Sequence, residues 1–361
     1  MTDSVSCPDT RLDSHAALAG ALARAGMAAD IRAMRPMADT GLAHTHVWLE
    51  RDTIDWVARL PKQSQMGLAA DENLAYQAAC FARASQSGHT PALHGVLPPG
   101  SALPRGGLLV SAVLGRPSRL PDDLPAIAEA LAAIHGLEVP PETERTPLHA
   151  PADPWRAMRE EVARQAEWLG SAGLTHEARA QIEDALATLP EHLPTEPGTA
   201  PAPRLISFDA HPGNFLVTDS GRAVLVDLEK CRYGLPGFDL AHATLYTSTT
   251  WDLNSSAVLS PVDVASFYRH WRHNGGIAGD TFTLMACRRA MWLWSLTWCA
   301  KWRAQHGRDR DADAAGEDWS AQLSDDALVA HVRERVDHYL SPAVIAHVRH
   351  GLDDLQVALA D

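Results

Sequence analysis

The chain has little that would take it to a membrane, a secretory route or a nucleic acid. No apolar run approaches the ~18 residues that a spanning helix needs, and no membrane association is expected. The first ten residues lack a basic region followed by an apolar core, so no signal peptide is expected either. Cysteine is scarce and scattered: Cys7, Cys80, Cys231, Cys287 and Cys299 are odd in number and form no C-x-x-C pair. That argues against a disulfide framework or a zinc site and for a reducing, cytoplasmic setting. Positive charge is in deficit, with a formal net charge of −14. Nucleic-acid phosphates are gripped by Lys and Arg, so no such partner is expected. The acidity would instead concentrate a cationic small molecule near a cleft, or it serves solubility alone. Neither G-x-x-x-x-G-K-[ST] nor G-x-G-x-x-G occurs, which leaves a P-loop fold and a Rossmann site unsupported.

What is present is ordinary globular material. At 361 residues, 46% apolar and 21% charged, the chain can bury one large core or two modest ones. Residues 11–27 are rich in Ala and Leu at helical spacing and predict a leading helix. Strands are predicted over about 35–60, at Thr45–Leu49 and Ile54–Leu60, and again at Pro91–Leu97 and Gly107–Leu114. Helices are predicted at Ala70–Arg83, Pro121–His135, about 154–170, about 174–188, from Phe238, and through most of the chain after about 261. Residues 137–153 and 190–203 read as loops.

The chemistry is densest between Leu205 and Glu229. Leu205-Ile206 delivers Asp209 onto a loop broken by Pro212-Gly213, and two β-rich runs follow, Phe215–Val217 and Ala223–Val226, joined by a Thr-Asp-Ser-Gly turn. Asp209, Asn214 and Asp227 thus come from the same ends of neighbouring short elements. Oxygen donors at that density suit a hard cation such as Mg²⁺, which keeps waters and substrate phosphates as its other ligands. The spacing D-x-x-x-x-N, with a carboxylate 13 residues later, matches the kinase pattern of Asp as base and Asn plus a second Asp on metal.

These residues sit in three ordered blocks. They are Ser207-Phe-Asp209-Ala-His211-Pro-Gly-Asn214, then Asp227-Leu-Glu229, then Tyr233-Gly-Leu-Pro-Gly-Phe-Asp239-Leu-Ala241. Together they resemble the signature of the aminoglycoside phosphotransferase and choline kinase family of small-molecule kinases: His-Gly-Asp-x-His-x-x-Asn, Asp-x-Glu, and aromatic-Gly-x-Pro-x-x-Asp-Leu-Ala. Ser207 stands where the family has its first His, a supporting position and not the base.

The resemblance implies an α+β, protein-kinase-like two-lobed fold, with a small β-rich N-lobe at 1–112 and a larger, mainly helical C-lobe at 113–361. It implies transfer of the γ-phosphoryl group of ATP or GTP, with Mg²⁺, to a small-molecule hydroxyl. Asp209 would be the base, Asn214 and Asp227 the metal ligands, and Ser207, His211, Glu229 and Asp239 the supporting groups. In the N-lobe, Gly41 fits the nucleotide-covering loop, with His44 where the family has Asn. Arg59, supported by Glu72, would meet the nucleotide phosphates, with Lys62 as the fallback. The backbone of Ser111, Ala112 and Val113 would hold the purine.

Net charge and a tryptophan stripe (Trp294, Trp298 and Trp302, every fourth residue) tilt the expected acceptor towards a cation, such as an aminoglycoside-type antibiotic or an amino alcohol. The stripe also reads as plain core, and a sugar, a hydroxy amino acid or a biosynthetic intermediate stays open as acceptor. His44 with His46, His270 with His273, and His135 read as structural or surface residues rather than ligands. The acidic stretch 308–318 reads as a solvated loop. Two other readings remain. A protein kinase is disfavoured, because no Ala-Pro-Glu follows Asp227 and no Arg immediately precedes Asp209. A nucleotide-binding pseudokinase scaffold is motivated by Ser207 and His44.

Overall fold

A computed structural model describes residues 10–38, 43–193, 201–252, 254–276, 280–306 and 326–359. These fall into two compact units. The first holds described residues within 1–78 and 92–112, and the second those within 79–91 and from 113 onward.

The first unit opens with α1 (Thr10–Arg24), whose Leu18 and Leu22, four apart and so on one face, are fully buried. Five antiparallel strands follow: β1 (Ile31–Pro36), β2 (His44–Arg51), β3 (Trp56–Pro61), β4 (Leu93–Leu97) and β5 (Gly107–Ser111), in spatial order β1-β2-β3-β5-β4. Val47, Leu49, Ala58, Leu97 and Leu109 meet Leu18 and Leu22 in one core. Strand β1 was not placed by the sequence reading, which starts the sheet near residue 35. Its edge carries Arg32 and Arg35, which pair with Asp52 and Glu50, so charge masks the apolar alternation that marks a strand. Gly106 enters β5 at φ +67, where a Cβ would stand 2.4 Å from the Leu97 carbonyl oxygen. Only glycine fits there. Helix α2 (Ala70–Ala84) begins in this unit.

The second unit is mainly helical. Its elements are β6 (Arg116–Pro117), α3 (Leu124–His135), α4 (Pro154–Ala166), α5 (His176–His192), β7 (Arg204–Ile206), β8 (Phe215–Val217), β9 (Ala223–Leu225), β10 (Arg232–Gly234), α6 (Pro236–Thr244), α7 (Tyr246–Thr249), α8 (Pro261–His273), α9 (Thr281–His306), α10 (Asp326–Tyr339) and α11 (Pro342–Ala358). Two departures from the predicted boundaries stand out. Helix α4 stops at Ala166 and continues as a 3₁₀ turn, Glu167–Ser171, while α5 runs past Pro190 to His192.

The 26-residue α9 is the spine, packed by α4, α5, α6, α10 and α11. Its approach to α6 is close, since a Cβ on Gly237 would lie 2.6 Å from Cys287 Sγ. Helix α8 starts with a reciprocal capping box, Ser260 with Asp263. Two small sheets, β6-β8-β9 and β7-β10, hang the functional loop on this scaffold. Strand β10, Arg232–Gly234, lies in a segment the sequence marks only as motif, because three residues are too few to show periodicity.

Candidate active site

Strand β7 ends at Ile206, and the next residues turn sharply. Phe208 has φ +57, the one non-glycine positive φ among the described residues. An L-residue held there costs roughly 1–2 kcal/mol unless its surroundings fix it. Asp239, fully buried in the first turn of α6, does the fixing. Its Oδ2 accepts from Ser207 N at 2.7 Å and its Oδ1 from Phe208 N at 2.8 Å. His135, at the end of α3, completes the brace. Trp271 Nε1, which can only donate, bonds His135 Nδ1 at 3.0 Å. The ring proton is therefore on Nε2, which donates to Asp239 Oδ2 at 3.1 Å. His135 is thus structural, and it supports the loop from behind. Phe208 occupies the place of the signature's glycine, and the sequence reading drew nothing from it. The positive φ shows why that place favours glycine.

The brace presents Asp209. Its backbone N–H donates to Ser207 Oγ at 3.2 Å, so Ser207 supports the loop through its hydroxyl. Asn214 closes the far end, its Nδ2 donating to the Asp209 carbonyl at 2.9 Å. Because that nitrogen is committed, the amide oxygen is the end left for a ligand. Asn214 O accepts from Val226 N at 2.9 Å, which sets Asp227, the next residue and half-buried, beside Asn214. Glu229 is buried and His211 half-buried.

Two residues of this cluster went unnoticed in the sequence. Lys230 Nζ lies 3.0 Å from Asp209 Oδ2, and His242 Nδ1 lies 4.0 Å from Asp209 Oδ1. Lys230 had a usable signal. It is one of three lysines in the chain, with Lys62 and Lys301, and it directly follows the Asp-x-Glu block. His242, inside a buried helical turn, had none.

Burial alone would raise the Asp209 pKa, but the charge of Lys230, helped by His211 and His242, holds the carboxyl below its usual value. Burial likewise disfavours the Lys230 ammonium, yet Asp209 and Glu229 outweigh it and the net shift is upward. The pair is ionised at neutral pH. His242 goes the other way, pushed down to about 4, first by burial. Its folded pKa lies below the unfolded value of about 6.5, so the unfolded chain binds the extra proton first. Stability from neutral His242 is therefore full above about pH 7 and falls as the pH drops towards 4, by on the order of 3 kcal/mol. His242→Gln is expected to flatten this limb in denaturant titrations between pH 7 and 4. An unchanged limb would remove His242 as its source.

The other expected site residues lie as follows. Arg59 is buried on β3, opposite His46 and Leu108, and Glu72 is exposed in the first turn of α2. Ser111 N donates to Ala92 O and Ala112 N to Asp55 O, both at 2.9 Å, so those two N–H groups are taken by the sheet. Gly41 and the acidic stretch 308–318 lie outside the described residues. His44 is buried against Gln77, Nε2 to Oε1 at 2.9 Å, a core contact. Of the tryptophan stripe, Trp302 is buried and stacks on His306, half-buried Trp298 meets Trp251 edge-on, and half-buried Trp294 alone adjoins the loop, edge-on to Phe208. Among the described residues, no helix is long and apolar enough to cross a membrane.

A sequence model of the phosphotransferase enzyme family matches residues 38–280. Similar solved structures include a macrolide 2'-phosphotransferase from Brachybacterium faecium, 17% identical over 88% of this chain and 97% of that one, with a TM-score of 0.56. A choline kinase from Cryptosporidium parvum Iowa II is 12% identical over 91% and 93%, also at 0.56. A spectinomycin phosphotransferase, solved with ADP and spectinomycin, is 13% identical over 90% and 94%, at 0.53. No curated protein matches. These likenesses bear out the protein-kinase-like α+β fold, with its five-stranded antiparallel sheet and mainly helical remainder.

Proposed function

Because the chain belongs to the phosphotransferase enzyme family, we propose that it is a small-molecule kinase that moves the γ-phosphoryl group of ATP to an acceptor hydroxyl at Asp209. One observation carries this reading. A single braced loop holds an ionised carboxylate and, by a hydrogen bond to that residue's own carbonyl, the Asn214 amide. Phosphoryl transfer asks mainly for positioning and charge stabilisation, and the loop supplies both. Asp209 orients the acceptor hydroxyl and takes its proton as the new O–P bond forms. The bond from the γ-phosphorus to its bridging oxygen breaks, and ADP leaves with that oxygen.

The donor set of Asn214 Oδ1 and the Asp227 carboxylate fits Mg²⁺, a hard cation held by one or two protein oxygens with substrate phosphates. When bound, it would neutralise charge on the nucleotide phosphates. The ADP in the spectinomycin phosphotransferase supports a nucleotide partner. GTP in place of ATP is decided by the same titration described below. Residues 1–112 would form the nucleotide-covering lobe and 113–361 the catalytic lobe. Arg59, with Glu72 as its support, would meet the phosphates. Since Ser111 and Ala112 have spent their N–H groups, Val113 is the hinge donor left for a purine.

The test is a thermal-shift titration with ATP or GTP and Mg²⁺. A ligand that binds only the folded state adds about 2.7 kcal/mol at a hundredfold excess over Kd. We expect a Mg²⁺-dependent shift that disappears in Asp227→Ala. No shift with either nucleotide would refute the nucleotide site.

A further inference from the structure

Among the described residues, two cations stand beside the loop that carries Asp209, Lys230 and Arg232. Lys230 Nζ lies 3.0 Å from Asp209 Oδ2, its side chain 20% exposed. Arg232 follows two residues later, its guanidinium carbon 3.7 Å above the ring of Phe208, the residue before the base. The register of β7 with β10, Arg232 opposite Ile206 and Gly234 opposite Arg204, puts Arg204 on the same face of the ladder.

The acids nearest Asp209 are engaged, and Asp252, packed against Gly213 of the loop, accepts from Asn254 N at 2.7 Å with Oδ1. Asp239 is fully buried beneath its three donors, and Glu229 is buried. Asp227 is the cation ligand of the proposed reaction. Glu161 of α4 accepts from Arg232 Nη1 at 3.2 Å with one oxygen and from Trp294 Nε1 at 2.8 Å with the other.

An ammonium group needs an aromatic face or a carboxylate that is not already matched. Arg232 occupies the Phe208 face and shares the Glu161 carboxylate, so an incoming cation would have to displace it while also approaching Lys230. A net charge of −14 does not reverse this, since charges beyond the Debye length of about 8 Å are screened.

The geometry points to an acceptor of the hydroxy-acid class, with Lys230 as the residue that selects it. This rests on the phosphotransfer reading above. A hydroxyl on Asp209 Oδ1 at a normal hydrogen-bond distance would stand roughly 5 Å from Lys230 Nζ. A carboxylate on the neighbouring carbon reaches the ammonium from there, and Lys230 then divides its donors between Asp209 and the acceptor. Lys230 has three to offer.

The experiment compares three-carbon acceptors matched in skeleton and different in charge: glycerate, glycerol and 2-amino-1,3-propanediol, each with Mg·ATP. Phosphoryl transfer is read by phosphorus NMR and by coupled ADP release. Glycerate is expected to exceed the neutral compound in kcat/KM by about tenfold or more, and the cation by more still, as a charge-assisted contact allows. Lys230→Met is expected to raise the glycerate KM about 10- to 100-fold and to leave the KM for ATP within about twofold. Lys230→Arg should keep most of the preference. A retained Mg·ADP thermal shift shows that each variant is folded. The inference is overturned if the cation or the neutral compound wins, if charge makes no difference, or if the loss in Lys230→Met falls on ATP. A wild type with no Mg·ADP shift would overturn the phosphotransfer reading, and this inference with it.

Discussion

Asp209→Asn is expected to lower turnover by about 10²- to 10⁴-fold, the range for loss of a positioned general base. The amide keeps the size of the carboxylate and one accepting oxygen, and the loop is held by Asp239, Ser207 and Asn214, so it should stay in place. What it loses is the charge that takes the hydroxyl proton and that Lys230 now neutralises at 3.0 Å. The Mg·ATP thermal shift should survive, because Asn214 and Asp227 are untouched. A steady-state assay beside that titration separates chemistry from binding: kcat falls while the nucleotide Kd holds. Near-normal turnover would remove Asp209 from the reaction. If the shift vanished together with turnover, the defect would be structural and the base assignment would lose its support.

The largest effect on stability is expected from Asp239→Ala. Three donors converge on this carboxylate: Ser207 N at 2.7 Å, Phe208 N at 2.8 Å and His135 Nε2 at 3.1 Å. Truncation leaves all three buried without an acceptor and also releases Phe208 from a backbone conformation at φ +57 that it would not choose alone. The loss should reach about 3–5 kcal/mol, since each buried donor left without its acceptor costs about 1–3 kcal/mol and such costs do not add fully. At about 2–4 °C per kcal/mol for a domain of this size, Tm should fall by roughly 6–20 °C. Hydrogen exchange at the Ser207 and Phe208 amides should accelerate by more than the global loss accounts for. A wild-type Tm would mean that the loop is held by something else.

The two variants divide the site into the group that reacts and the group that holds it. Asp239 is distant in sequence from the loop it fixes, and His135 and Trp271 are more distant still, so the brace is assembled by tertiary structure. Lys230 and His242 show the same. One follows a recognisable motif and the other lies in a buried helix, and only folding sets both against Asp209.

What the sequence determined by itself is the order and spacing of Asp209, Asn214 and Asp227, because a short loop and hairpin bring oxygen donors together within a few residues of chain. The lobed α+β pattern was equally local, since strand alternation and helical periodicity are properties of short windows. The structure alone decided the charge around the base. Net charge sums the whole surface, and its acidity suggested a cationic acceptor. The field at Asp209 depends on a few ångströms, and there the fold gathers Lys230 and Arg232 and gives the nearby acids other partners. Whether a buried charge is matched depends on long-range contacts, and composition does not record them.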